Sequence, residues 1–341
     1  VSEPGLSVVL CTYNRADSLA VALDSVLQQE IPGVEYEVVV VNDGSTDHTA
    51  DVVEAAAARA AVTVRMVTPP SKNGIAHARN TGIRAAAAPA TVFFDDDQLA
   101  DPGWLNGLLA VAAEKGTEMV GGPRRLDLPE EVVRTLGPVC RGLLGENLYP
   151  PVSERLDGKE LPTTGNLFFT KALFERLDGF DEALRASGED ADFVRRARKA
   201  GVEVWTAPAA MVAHMVPAYR TTPAYFRWVS HRWGIQFAAM DLKERGKARL
   251  LLNAALRGAQ ALAMHLPRLA VARLGGNAPL AIDARALLWR AEGYIRSALR
   301  ELSPGLFGQQ AFFDGLDFRN EREMFADDGA GAETGAAAGK A

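Results

Sequence analysis

Four apolar stretches, residues 6–11, 36–42, 62–67 and 91–94, alternate with segments of helical periodicity, and each is followed by a polar cluster. Few chain paths satisfy that pattern. Strands that are apolar on both faces need cover on both faces, and strands separated by helices pair in parallel. The rhythm therefore predicts an α/β fold of βαβ units, with a buried, mostly parallel sheet flanked by helices. The first helix is expected over residues 17–29, where Leu19, Val21, Ala22, Leu23, Val26 and Leu27 form a wide apolar stripe. A second follows the turn and N-cap formers Asn42-Asp43-Gly44-Ser45-Thr46-Asp47, a third spans 75–88, and a fourth follows Pro102. Open sheets of this kind bind ligands outside the carboxyl ends of their strands. Thr12-Tyr13-Asn14-Arg15, Asn42-Asp43-Gly44-Ser45, Asn73-Gly74 and Asp95-Asp96-Asp97 all stand at such ends.

The last cluster is chemically the most specific. Phe93-Phe94-Asp95-Asp96-Asp97 is an apolar strand that ends in three adjacent carboxylates. Side chains alternate along a strand, so Asp95 and Asp97 are expected to point one way and Asp96 the other. Two converging carboxylates suit a hard divalent cation, Mg²⁺ or Mn²⁺, with positions left for the oxygens of a substrate phosphate. The competing reading is an acidic turn that closes a strand and opens a helix. Asp101 fits that reading, as an N-cap followed by Pro102 at a preferred first helical position. No Gly-x-Gly-x-x-Gly follows a strand and no Gly-Lys-Ser/Thr occurs, which disfavours dinucleotide dehydrogenases and P-loop proteins.

Beyond residue 121 the pattern weakens, and residues 121–162 read as irregular structure with mobile segments, a length of loop that is usually functional. Order resumes at Thr164-Gly165-Asn166-Leu167-Phe168-Phe169, turns at Asp178-Gly179-Phe180-Asp181, and enters a helix over 189–200 with Gly201 as its terminal cap. Short strands are expected at 203–206 and 210–214, then a helix bearing Tyr225, Phe226, Trp228 and Trp233. After Asp241 the composition shifts to Leu, Ala and Arg in helical periodicity over 250–274 and 280–302. Such helices can pack on the rest of the chain or on a second copy in a homodimer. With Arg249, Arg257, Arg268 and Arg273 beside the apolar residues, they can instead lie on a membrane surface. Residues 327–341 are Gly/Ala-rich and read as a disordered tail.

A chain of 341 residues with 48% hydrophobic composition can bury a substantial core. Its net charge of −6 gives no basic footprint for duplex nucleic acid, so a small substrate is expected and no nucleic acid partner. Cys11 and Cys140 stand far apart without a partner motif and read as packed thiols in a reducing compartment. No apolar run approaches the roughly 20 residues of a membrane span, and no secretory leader is visible at the start. Cytoplasmic location is therefore expected, with the inner face of the membrane as the variant that the C-terminal helices raise.

Six motifs in fixed order resemble the inverting family 2 glycosyltransferases: "SVVLCTYNR", "VVVVNDGSTD", "NGIAHARNTGI", "FFDDD" with its following "DPGWL", "GNLFF", and "GEDADF" with "VAHM" downstream. The resemblance covers most of the first 235 residues. It implies a GT-A fold over residues 1–240, with 1–120 as the nucleotide-binding half and 121–240 as the acceptor-binding half, followed by a helical region over 241–326. It also implies a nucleoside-diphosphate sugar donor. Thr12, Asn14 and Arg15 would line the nucleotide pocket, with Asn166 from "GNLFF". Asp43 would accept a hydrogen bond from the base, which suits the imide N–H of uracil or thymine. Asn73 through Arg79 and Asn80 would close over the nucleotide, Arg79 offering a bidentate fork or pairing with a sheet-end carboxylate. Asp97 would be the direct ligand of Mg²⁺ or Mn²⁺ and Asp95 would lie nearer the ribose and metal, with Asp96 between them. His214 would complete the metal shell or simply pack. Asp190 would be the catalytic base with Glu189 beside it, against the plain alternative that both carboxylates favour the first turn of a helix. Trp104 and Trp233 are candidates for stacking on a sugar, or for the core.

The reaction so implied passes through an oxocarbenium-like transition state. A cation on Asp97 would stabilise the leaving diphosphate, and Asp190 would take the proton of the attacking group from the opposite face, giving inversion. The acceptor, whether saccharide, lipid-linked or small molecule, is not legible, because acceptor pockets are built from variable loops. Two other functions fit parts of the pattern. A nucleotidyltransferase also uses acidic metal ligands on an α/β sheet, but would carry a Gly-rich phosphate loop after the first strand, which Thr12-Tyr13-Asn14-Arg15 is not. A catalytically silent nucleotide-sugar binding or scaffold protein would recruit partners through the C-terminal helices.

Overall fold

The structure, a computed structural model, describes residues 4–71, 74–158, 161–184 and 188–303. The tail expected over 327–341 and Asn73 lie outside the described residues. The chain divides into two compact units, one holding the residues up to Asp127 together with Gly145–Met215, the other holding Leu128–Leu144 and the residues from Val216 onward.

The first unit is built on the four apolar stretches, which form β1 (Leu6–Thr12), β2 (Tyr36–Asn42), β3 (Thr63–Val67) and β4 (Ala90–Asp95). Between them run α1 (Ala16–Leu27), α2 (Thr49–Arg59) and α3 (Ile75–Ala85). A short β5 (Gln98–Ala100) precedes α4 (Trp104–Lys115), β6 (Met119–Gly121) and β7 (Arg124–Asp127). The seven-stranded sheet has the order β3-β2-β1-β4, continuing into β8 (Asn166–Thr170), β6 and β9 (Val204–Thr206). All neighbours are parallel except β8, which is antiparallel to both β4 and β6. A second sheet of three strands places β10 (Val212–Met215) between β5 and β7.

Alternation along the strands sorts the core into two layers. Val8, Leu10, Val38, Val40, Val92 and Phe94 face α1, α2 and α4. Val9, Val39, Val41, Phe93, Leu167 and Phe169 face α3 and two helices that follow β8. The register sets Thr12 opposite Asn42 and Cys11 opposite Asp95, so the polar ends of three central strands are level. Gly82 lets α3 lie directly on the sheet, since a Cβ there would come within 2.5 Å of Val9 and 2.7 Å of Val41. Cys11 and Cys140 are free and packed; burial pushes the Cys11 thiol up to about 12 and raises Cys140 as well.

The stretch read as irregular begins at the last residue of β6 and carries β7, then α5 (Glu130–Val133) and α6 (Pro138–Leu143), the two helices belonging to the second unit. After β8 come α7 (Lys171–Arg176) and α8 (Glu189–Lys199). The second unit continues with α9 (Pro223–Gln260), a π-helical turn (Ala261–His265), α10 (Leu266–Leu274) and α11 (Ala278–Leu302). Residue 240 therefore lies inside α9, whose break comes at Gly246, with a φ of 75° and ψ of 175° that an α-helix does not contain. Helices α9 and α11 approach through glycines: a Cβ on Gly234 would sit 2.2 Å from the Arg290 carbonyl oxygen, and one on Gly293 would sit 2.5 Å from that of His231. Asp241 fastens the pair, accepting from the Tyr294 hydroxyl at 2.7 Å and the Asn253 amide at 2.8 Å. Asp283 of α11 accepts from the backbone N–H groups of Val139 and Cys140, which ties the first turn of α6 into this unit.

Candidate active site

The loop after β1 is shaped by Asn14, whose φ of 49° is left-handed, a conformation that asparagine tolerates better than most residues. Its backbone N–H donates to Ser45 Oγ at 2.9 Å, and its side-chain Oδ1 accepts from the Thr46 N–H at 2.7 Å. Asp47 receives the N–H of Ala16 at 3.0 Å, and Asp43 donates its N–H to the Thr12 carbonyl at 3.0 Å. The β1 and β2 loops are thus one hydrogen-bonded rim that holds Thr12, Asn14, Arg15 and Asp43 together.

At the end of β4 the alternation expected from an unbroken strand fails. The strand stops at Asp95 and the chain turns into β5, so Asp96 and Asp97, rather than Asp95 and Asp97, converge on one cation. That cation is the Arg15 guanidinium, 2.9 Å from Asp96 Oδ1 and 2.6 Å from Asp97 Oδ2. Asp95 makes different hydrogen bonds, its Oδ2 accepting from Gln98 Nε2 at 3.1 Å and lying 3.7 Å from Arg124, while the charge of Asp97 still reaches it. Neither Gln98 nor Arg124 was expected from the sequence; an arginine directly after Gly121-Gly122-Pro123 was the visible signal. Burial raises the carboxyls of Asp95 and Asp96, with the neighbouring Asp97 pushing both the same way and Arg15 opposing the shift at Asp96.

His214, on β10, brings Nε2 to 3.4 Å from Asp97 Oδ2. One carboxylate and one imidazole, with substrate oxygens filling the other positions, would suit Mn²⁺ better than Mg²⁺, which takes oxygen donors. Among the described residues no cluster of three or more His, Cys, Asp or Glu side chains has the spacing of a metal centre.

The other wall comes from α3 and α8. Arg79 is buried and ion-paired with the buried Glu189, while its guanidinium lies 5.7 Å from the Phe93 ring and 5.9 Å from that of Phe180. The second oxygen of Glu189 is buried without a hydrogen-bond partner among the described residues. Asp190, next along α8 and half-buried, accepts from the Ala191 N–H at 2.6 Å. Asp192 takes the remaining acidic place of that first turn and pairs with Arg196 at 2.6 Å. Asn80 clamps the loop that leads to α8, donating to the Phe180 carbonyl at 2.9 Å and to Glu182 at 2.8 Å.

Three candidates are placed in the scaffold instead. The Asn166 amide accepts from Trp104 Nε1 at 2.8 Å and donates to the carbonyls of Pro123 and Ala210, so its polar atoms hold the sheet edge together rather than facing a nucleotide. Trp104 is fully buried against Phe94, which removes it as a sugar platform. Asp101 does not cap α4, whose N-cap is Gly103; it pairs with Arg125, both oxygens at 2.8 Å.

Residues 7–176 match the family described as Glycosyl transferase family 2. The chain is 33% identical over 225 residues to validoxylamine A glucosyltransferase of Streptomyces hygroscopicus subsp. jinggangensis, covering 58% of this chain and 52% of that protein. It is 27% identical over 198 residues to the glycosyltransferase AglE of Haloferax volcanii, covering 58% and 62%. The chain thus spans between half and two thirds of the length of these curated relatives. Its fold is similar to that of the mannosyltransferase PcManGT from Pyrobaculum calidifontis in complex with GDP-Man and Mn²⁺, with a TM-score of 0.58 at 23% identity and 89% of each chain covered. With a mostly parallel sheet of GT-A type, the motifs of that family at its strand ends and the match over residues 7–176, this chain belongs to glycosyl transferase family 2.

Proposed function

We propose that the protein is an inverting glycosyltransferase that moves a sugar from a nucleoside diphosphate, with UDP or dTDP favoured, to a hydroxyl or amine of a saccharide, lipid-linked or small-molecule acceptor. The observation that carries the reading is the polar cluster at the carboxyl end of the sheet, where Arg15, Asp96, Asp97 and His214 meet, with Arg79 of α3 paired to Glu189 of α8. In this reading residues 1–120 bind the donor and 121–240 shape the acceptor pocket. Asp43 accepts the imide N–H of uracil or thymine beside Thr12, and Asn14 holds the rim on which the base rests. Asp97 and His214 are the residues that would hold Mg²⁺ or Mn²⁺, which when bound would stabilise the charge of the leaving diphosphate.

The Asp190 carboxylate accepts the proton of the attacking hydroxyl as that oxygen bonds to the anomeric carbon and the bond from that carbon to the diphosphate oxygen breaks. Glu189, on the same helix turn, is held in place by its ion pair with Arg79. The test joins calorimetry with turnover. Wild-type protein should bind UDP or dTDP more tightly with Mn²⁺ than without it. Asp190→Asn should retain that binding while release of nucleoside diphosphate from the donor in the presence of acceptor falls by about 100-fold or more, a typical scale for loss of a positioned base. Absence of nucleotide binding, or unimpaired turnover in the variant, would refute the assignment.

A further inference from the structure

Large exposed apolar side chains are scattered singly over most of the molecule, but not in the second unit. Of the fifteen in the described residues, seven fall between Leu252 and Leu274. Leu262, on the π-helical turn, is 70% exposed, and Val271 and Leu274, on α10, are 66% and 90% exposed. Isolated apolar residues on a surface need no explanation, whereas a concentration such as this one marks an interaction face.

The charge beside it is equally uneven. Residues 242–277 carry seven lysines and arginines against one acid, Glu244, a surplus of six positive charges in a chain whose net charge is −6. Lys243, Arg245, Lys247, Arg249, Arg268 and Arg273 are all exposed, while Arg257 is turned inward, its guanidinium 4.4 Å from the Tyr294 ring. We infer that this face docks on an anionic lipid surface, with the leucines in the headgroup boundary and the arginines and lysines on lipid phosphates. A basic, amphipathic helix with exposed leucines is the form that binds in the plane of an interface. No helix among the described residues is long and apolar enough to cross a membrane, so the contact is interfacial.

A second copy of this chain is the poorer occupant. A twofold contact sets one patch against itself, which would bring two surfaces of the same positive surplus face to face. An anionic bilayer offers the opposite charge. The inference goes beyond the proposed reaction and stands whether or not that reaction is correct, because none of these residues is in the candidate active site.

The experiment is co-sedimentation of the full chain with vesicles of phosphatidylcholine alone and of phosphatidylcholine with about one third phosphatidylglycerol. Binding is expected to the anionic vesicles and not to the neutral ones, and to weaken with salt. Arg268→Gln with Arg273→Gln should lower the partition coefficient roughly 25-fold, about fivefold for each charge near the surface. Leu262→Gln with Leu274→Gln should lower it about tenfold or more, for two leucines withdrawn from the boundary. Nucleotide binding measured on the same variants should not change. The inference is overturned if wild-type protein stays in the supernatant with anionic vesicles at low salt, or if both double variants bind them as wild type does. It is equally overturned if sedimentation equilibrium shows a dimer that the leucine variant dissociates while vesicles capture neither protein.

Discussion

Removing Arg79 without removing Glu189 tests whether the α3–α8 wall is held by one buried ion pair. Both side chains are almost wholly enclosed, at 10% and 7% exposure, and one Glu189 oxygen already lacks a hydrogen bond among the described residues, so the carboxylate depends on its ion pair with Arg79. Breaking a buried pair from one side typically costs about 3–5 kcal/mol, because a charge is left unpaired in low dielectric. Arg79→Met keeps most of the packing on Phe93 and Phe180 while losing the cation–π contribution, itself about 0.5–1 kcal/mol, so a loss of about 3–4 kcal/mol is expected. Arg79→Met combined with Glu189→Gln removes both charges and should lose only about 1–2 kcal/mol. Urea unfolding of Arg79→Met, Glu189→Gln and the double variant, followed by far-ultraviolet circular dichroism at pH 7 with unchanged m, gives the three numbers. A single variant that loses under about 1 kcal/mol, or single effects that add within about 0.5 kcal/mol, would show that the pair does not hold this wall.

Two further outcomes follow from the sheet. Glu37 is buried and accepts from Arg65, Ser7 and the Ala87 N–H; burial works to raise its carboxyl, but these bonds outweigh it and hold it below the ordinary 4.5. Its charged form is therefore favoured by folding, so its stabilisation is complete above pH 4.5 and is lost as the pH falls through the folded value; the urea midpoint of Glu37→Gln should converge on that of wild type over that interval, and a gap independent of pH would refute this. Gly82→Val should lose about 2 kcal/mol despite the better helix propensity of valine over glycine, since its Cβ would meet the stiff side chains of Val9 and Val41; a melting temperature equal to or above that of wild type would mean that α3 can lift from the sheet.

The elements that were legible are those whose signal is local. The expected strand over 36–42 is Tyr36–Asn42, and the helices expected at 75–88 and 189–200 are Ile75–Ala85 and Glu189–Lys199, because an apolar run or a 3.6-residue stripe carries its own periodicity. What escaped was set by distant partners. The antiparallel direction of β8 depends on which strands it meets, and Phe169 facing Thr91 across it is invisible in either segment alone. The segment after residue 121 hid α6, whose first turn receives its cap from Asp283, more than 140 positions downstream. At the site the residue types were legible and their pairing was not: alternation set Asp96 apart from Asp97, but the strand ends at Asp95, two residues before Asp97, and Asp96 and Asp97 meet at Arg15.

By itself, then, the amino-acid order determined the sheet, its helical cover and the concentration of carboxylates, amides and arginines at the carboxyl ends of the strands. These follow from periodicity and from the turn chemistry of Asn, Asp and Gly, both of which act over a few residues. Only the tertiary structure decided which charges neutralise which. Arg15 sits on Asp96 and Asp97, Arg79 on Glu189 and Arg124 beside Asp95, and each pairing joins positions more than 25 residues apart. Electrostatic energy depends on distance and burial rather than on order in the chain, so the pairing exists only once the strands are in register and water has been withdrawn from the carboxylates.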